Sequence, residues 1–167
     1  MKIIKFKRRE NGKTNYKKRL RILVANKPRV VIRKSLNNIL IQLVKYNPNG
    51  DIVLNFAHSN ELKKLNWRYN NGNIPASYLT GFLFGSKLGK KEEEIKNDFV
   101  LDTGLYSSIK GSRIYAALKG MIDAGLNIPH SKEIFPSEDR IKGKHISKEI
   151  EKEVEELKKK IEKWKER

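Results

Sequence analysis

Residues 28–58 read PRVVIRKSLNNILIQLVKYNPNGDIVLNFAH. Three apolar runs are separated by polar breaks. Arg29 to Arg33 is β-branched at its centre, a composition that suits a pleated surface. Asn38 to Tyr46 alternates with apolar residues on both faces. Asn47-Pro48-Asn49-Gly50-Asp51 is a turn, with Gly50 supplying the positive-φ option. Ile52 to His58 then returns. Runs joined in this way make antiparallel pairs, so the stretch predicts a three-stranded meander.

Downstream, the period changes from strand to helix. Ser59 or Asn60 caps a short helix. Ile74 to about Lys91 is a long apolar helix with Gly81, Gly85 and Gly89 at spacing four, a pattern that predicts close packing on the sheet. Phe99 to Asp102 is a short strand leaving through Thr103-Gly104. Ser112 caps a helix over Arg113 to Ala124, and Gly125 suits its C′ position. Leu126 to Ile128 is expected as a last strand, and residues 130–145 as irregular chain. Ser147 caps a terminal helix in which Ile150, Val154, Leu157, Ile161 and Trp164 recur at helical spacing. Its apolar stripe fits a partner surface, a coiled-coil seam or the protein's own body.

Upstream, residues 1–15 read as an extended arm. A helix over Thr14 to Asn26 follows, capped by Thr14. Its apolar side, Tyr16, Leu20 and Leu23 or Val24, is expected to face the body. Lys17, Lys18, Arg19 and Arg21 are expected to face outward. Lys27-Pro28 ends it, because proline disfavours the helical region for its predecessor. The order β-β-β-α-α-β-α-β-α argues for an α/β sheet with helices on its faces. Three parts are expected: a basic arm and short helix (1–27), an α/β core (28–139), and an irregular linker with a Lys/Glu-rich helix (140–167).

The chain has 167 residues, 37 Lys and Arg against 19 Asp and Glu, a net charge of +18 and no cysteine. Missing cysteine excludes disulfides, thiolate nucleophiles and cysteine-ligated metals. No apolar run reaches the ~18 residues of a membrane span, and the N-terminus has no apolar signal core. A cytoplasmic location is expected. Charge is concentrated at one end. Residues 1–34 carry 14 Lys and Arg and one acid, whereas residues 35–139 carry 12 bases and 11 acids. A basic end on a near-neutral body points to a polyanion, because each phosphate neutralised releases a counterion.

Several residue sets are candidates for chemistry. Asp102-Thr103-Gly104 has the form of an aspartic-protease half-site, and that chemistry needs a second carboxylate. Asp51, Asp98, Asp102 and Asp123 are the candidates for a metal-dependent nucleic-acid-processing enzyme, the alternative reading. His58, His130 and His145 have no metal-type spacing, so neither a metal nor a cofactor is expected. The stronger signal is basic residues interleaved with Tyr, Asn and Ser. The candidate RNA-binding residues are Arg8, Arg9, Lys13, Tyr16, Lys17, Arg19, Arg21 and Lys27 in the arm. Arg29, Arg33, Lys34, Ser35, Asn37 and Asn38 follow on the first strand and its loop. Arg29 and Arg33 share a strand face at period two, and arginine forks match phosphate bidentately. Gly111, Ser112 and Arg113 form a third set, where helix-start amides offer a phosphate seat.

An ordered series of stretches carries a resemblance. It runs through Thr14 to Leu23, Lys27 to Ser35, Ala57 to Leu62, Gly72 to Gly81, Leu101 to Leu105, and Gly111 through Ile122 to His130. In these stretches the chain resembles archaeal members of the universal large-subunit ribosomal protein family called L-eighteen (L-five in eukaryotes), the 5S rRNA binder. The resemblance implies a ribonuclease-H-like α/β core without nuclease activity. It implies 5S rRNA, 23S rRNA and neighbouring large-subunit proteins as partners at the central protuberance. It also implies that the arm from Arg8 to Arg21, the segment from Arg29 to Asn38 and the turn from Gly111 to Arg113 meet RNA.

Charge of this kind sets a salt dependence. If 6–10 phosphates are contacted, RNA affinity falls by roughly 10³–10⁵ between 50 and 200 mM monovalent salt. Filter binding across that range measures it, and a flat response rejects the electrostatic reading.

Overall fold

A computed structural model of the chain describes residues 6–89 and 99–165. Four strands form one sheet in the order β3-β2-β1-β4. The predicted meander is present as β1 (Arg29–Lys34), β2 (Ile39–Lys45) and β3 (Ile52–His58), paired antiparallel. A bulge beside Leu43 and Val44 leaves Leu54 as the extra residue of β3. β4 (Val100–Asp102) lies parallel to β1, with Val31 opposite Asp102. The sheet is therefore mixed and flanked by helices, in agreement with the expected ribonuclease-H-like α/β class.

The inner face of the sheet is apolar. Val30, Ile32, Ile39, Ile41, Leu43 and Ala57 are fully buried there against α4 (Ile74–Leu88) and α5 (Arg113–Asp123). Asn73 caps α4, its side chain accepting from the Ala76 amide at 2.8 Å. Every residue of α4 except Lys87 is buried. A helix apolar all round must be covered on all sides. The sheet and α5 cover one side. The other packs on α6 (Glu138–Lys142) and α7 (Lys148–Lys165), through a second cluster that includes Leu79, Leu83, Ile150, Val154, Leu157 and Ile161.

The terminal stripe therefore packs on the protein's own body. Ser147 caps α7 as expected, its hydroxyl accepting from the Ile150 amide. Of the five stripe residues, the Trp164 side chain lies outside the described part.

The glycine pattern has a different use from the one expected. Gly81 and Gly85 face α5, not the sheet. A Cβ on Gly81 would collide with the Ala117 carbonyl, and one on Gly120 with the Tyr78 carbonyl. Two helix backbones thus touch where side chains are missing. Gly89 is the C-cap residue of α4. Leu126 to Ile128 is also corrected. Leu126 and Ile128 are buried in the core, but the segment forms no strand among the described residues. It is hemmed between Gly125 at φ 105° and Pro129, which has no amide to donate to a ladder. The irregular stretch before α7 contains a 3-10 turn at Lys132–Ile134 as well as α6.

One polar link crosses the α4–α5 interface. The Tyr78 hydroxyl donates to Asp123 at 2.9 Å, and Lys119 pairs with the same carboxylate at 3.0 Å. Burial first, then the Asp123 charge, pushes the Tyr78 phenol far above its ordinary range.

Two outcomes follow. Gly→Ala in an exposed helix raises stability by up to ~1 kcal/mol. Gly120→Ala should do the reverse, because the clash is with backbone, costing roughly 1–3 kcal/mol. At about 2–4 °C per kcal/mol, thermal unfolding should show a fall of several degrees. Tyr78 sets an alkaline signature. Its raised folded pKa contributes stability below about pH 10, where the unfolded phenol ionises, and that contribution drains as pH rises beyond. Tyr78→Phe should therefore be less stable than the parent at pH 8, yet lose less on going from pH 9 to 11 in urea titrations.

Candidate nucleic-acid interface

The outer face of the sheet is charged where the inner face is apolar. Alternation along β1 sends Val30 and Ile32 inward and Arg29, Val31 and Arg33 outward. Arg29 is only 3% exposed. Its two terminal nitrogens are taken by carboxylates, Asp102 Oδ2 at 3.1 Å and Asp51 Oδ2 at 2.7 Å. Arg33 reaches the Asp102 carbonyl at 2.9 Å and its carboxylate at 3.5 Å. The Gly104 amide donates to Asp102 Oδ1 at 2.7 Å. Gly104 sits at φ 62°, and a Cβ there would lie 3.0 Å from the Arg33 guanidinium. Strand-mates Arg29 and Arg33 thus share one carboxylate, as their spacing requires.

The arm lies over this face. After α1 (Lys7–Glu10), Asn15 caps α2 (Tyr16–Val24), accepting from the Lys18 amide at 3.1 Å. Thr14, expected as the cap, instead accepts from Arg8 Nε at 3.0 Å. Asn15, Lys18, Arg19 and Ile22 fall at i, i+3, i+4 and i+7 and line the space against the sheet. Lys18 donates to the Gly104 carbonyl at 2.8 Å, and Arg19 pairs with Asp51 at 2.8 Å.

Here the expected orientation of the helix is reversed in part. Leu20 is 65% and Val24 78% exposed, so that apolar edge faces away from the body. The reason is the surface below. A sheet face bearing Arg29, Arg33 and Asp102 pairs with charged side chains, so α2 docks through its polar side. Tyr16 is half-buried and meets Phe6 with ring centroids 5.1 Å apart.

The remaining candidates adjoin this surface. Lys34 lies over the Tyr106 ring at 5.2 Å, and the Tyr106 hydroxyl donates to the Lys34 carbonyl at 2.5 Å. Ser35 and Asn38 close the β1–β2 loop on each other: the Asn38 amide donates to Ser35 Oγ at 3.0 Å. Asn37 is exposed. Arg113 donates to the carbonyls of Leu36 at 3.0 Å and Gly72 at 2.8 Å, so it braces that loop instead of standing free for phosphate. Gly111 is at φ 68°, its amide bonded to the Ile134 carbonyl at 2.9 Å, and Ser112 precedes α5 without a side-chain cap bond. Arg9, Lys13, Lys17, Arg21 and Lys27 are exposed.

The carboxylates do not form a catalytic cluster. Asp51 and Asp102 are separated and neutralised by Arg29, while Asp123 on α5 is held by Tyr78 of α4 and by Lys119 of its own helix. Asp98 lies outside the described residues. Among the described residues no group of three or more His, Asp or Glu is placed to hold a metal. Sequence reasoning missed the role of Asp51 and Asp102 as counter-ions to the strand arginines. The alternating Arg29 and Arg33 signalled a charged face, but not what lay opposite.

Comparison with known proteins decides the class. Residues 2–99 and 89–131 match the family model described as ribosomal large subunit proteins 60S L5 and 50S L18. The chain belongs to this family. Among relatives in it is the large ribosomal subunit protein uL18 of Korarchaeum cryptofilum, 48% identical over 153 residues, covering 92% of this chain and 77% of the relative. That of Methanococcus maripaludis is 48% identical over 143 residues, covering 86% and 72%. As an archaeal-type uL18 family member, the chain is a structural constituent of the large ribosomal subunit in the cytoplasm and not an enzyme, with rRNA and ribosomal proteins as partners.

For a uL18-type scaffold, Asp102 matters to stability. Asp102→Ala leaves the buried Arg29 with Asp51 alone. The cost should be roughly 3 kcal/mol, the low end for breaking a buried pair. Thermal unfolding should drop by about 6–12 °C at the usual 2–4 °C per kcal/mol. RNA affinity of the folded variant should not fall, since a negative charge has been removed. A variant melting like the parent rejects this assignment.

Proposed function

We propose that this chain binds 5S rRNA and helps attach it to 23S rRNA at the central protuberance of the large subunit. The observation that carries the reading is the placement of charge. Six of the fourteen cations of residues 1–34 line the space over the outer sheet face, while the opposite face is committed to the core. The exposed cations of α1 and α2, the β1–β2 loop braced by Arg113, and the Gly111 turn are the surface offered to RNA. Arg33 and Arg29 stand behind it as the support of that surface. Phosphate contacts fix position, whereas the fold of the RNA supplies specificity, because the A-form major groove is too narrow for side chains to read. The resemblance of the ordered stretches to 5S rRNA binders supports the choice of RNA.

Deleting residues 1–13 tests it. The segment carries Lys2, Lys5, Lys7, Arg8, Arg9 and Lys13 against one acid, and none of its described residues is buried. The melting temperature should stay within a few degrees, since ~1 kcal/mol moves a domain of this size by about 2–4 °C. Affinity for a 5S rRNA transcript should fall well over tenfold at moderate salt, with a shallower salt slope. Unchanged affinity with a collapsed melting temperature makes the arm structural and overturns its role.

A further inference from the structure

Between α2 and the outer sheet face lies a cleft of about 520 Å³. Six cations line it: Arg8, Lys13, Lys18, Arg19, Arg29 and Arg33. Against them stand two carboxylates, Asp51 and Asp102, both already engaged by arginines. Four positive charges are therefore in surplus inside one recess. The Lys13 ammonium has no hydrogen bond or ion pair among the described residues.

A second observation points the same way. Arg29 lines the cleft, yet its Nε is buried without any hydrogen-bond partner, while both terminal nitrogens are satisfied. A buried donor left unmade is costly, and such an orphan calls for an explanation. The Nε is closed to solvent, so the guanidinium must shift for an acceptor in the cleft to meet it.

The walls are not only charged. Val31, Val44 and Val53 of the sheet and Ile22 of α2 also line the space. Val31 and Val44 are buried there and Val53 is exposed, so a simple anion uses the cations and leaves Val53 wet. A ligand with phosphate oxygens and a flat, weakly polar body uses both. The volume lies within the 300–1,000 Å³ typical of small-ligand sites. Proteins that read RNA do so mostly at unstacked, single-stranded bases. We propose that this cleft receives one unstacked nucleotide of single-stranded RNA, its phosphate toward the arginine and lysine side chains and its base or ribose against the wall at Val53. The proposal rests on the rRNA reading but asks more of it. Surface binding needs only phosphates along the arm, whereas this site takes a nucleotide inside.

The test uses the full chain labelled with ¹⁵N-arginine and ¹³C-methyl valine. Titration with uridine or adenosine 5′-monophosphate should move the Arg29 Nε–H resonance and the Val31 and Val53 methyls along one saturable curve. Inorganic phosphate should move the Nε–H alone, and more weakly. If nucleotide also leaves the methyls unmoved, or an oligoglutamate peptide binds more tightly than nucleotide, the nucleotide assignment is overturned. A variant gives the RNA arm of the test. Val53 is 47% exposed on β3, so Val53→Trp fills the cleft without touching a charge. Affinity for the 5S rRNA transcript should drop at least tenfold with the melting temperature held within a few degrees. If this variant binds as tightly as the parent while a Lys17→Ala/Arg21→Ala variant binds poorly, the cleft proposal falls and the rRNA reading stands. If the parent ignores the transcript but the nucleotide titration succeeds, the rRNA reading falls and the cleft stands.

Discussion

A single guanidinium, that of Arg29, holds three parts of the molecule together. Through Asp102 it ties β1 to β4, a strand of only three residues. Through Asp51 it ties β1 to the turn between β2 and β3. Asp51 Oδ2 also accepts from Arg19, so α2 hangs on the same carboxylate oxygen. Taking a charge out of water is repaid only when it is well paired. Burying Arg29 therefore obliges both carboxylates to stay, and with them the sheet edge and the arm.

The two faces of the sheet divide the work. The inner face builds a core that continues through α4 to α7, with side chains absent at Gly81 and Gly120 so that two helices meet backbone to backbone. The inner face of the sheet itself is closed to a polyanion. The outer face carries charge in excess of what its own carboxylates neutralise. On the proposed reading an RNA partner completes that face, much as α4 completes the other.

Much of this was readable in order. Residues 28–58 showed β1 to β3 to within a residue or two, because alternation and the Asn47–Asp51 turn are local signals. Ser147 and the α7 stripe were equally local. What escaped depended on distant partners. The spacing of the α4 glycines shows a close approach without naming its target, which is α5 and not the sheet. Leu126 to Ile128 looked like a strand because burial and strand formation share a composition. The α2 orientation failed for a similar reason: Leu20 and Val24 form an apolar edge, but the surface beneath the helix is ionic, and only the parallel pairing of β1 with β4 brings Asp102 there. Arg29 and Arg113 also bond inside the protein, through the terminal nitrogens of the first and the Nη1 of the second, and a sequence does not reveal which acceptors an arginine will meet.

The burial of α4 also has a consequence in time. Its apolar surface is sealed on one side by α7, and about 60 residues separate the end of one helix from the start of the other. The later helix itself adds a further 18 residues, so at a synthesis rate of about 5–20 residues per second roughly 4–15 s pass before the seal exists. During that interval a growing chain that already displays its basic arm also displays an uncovered greasy helix. Until their last helix has been synthesised, newly made molecules leave that face of α4 open to other apolar surfaces.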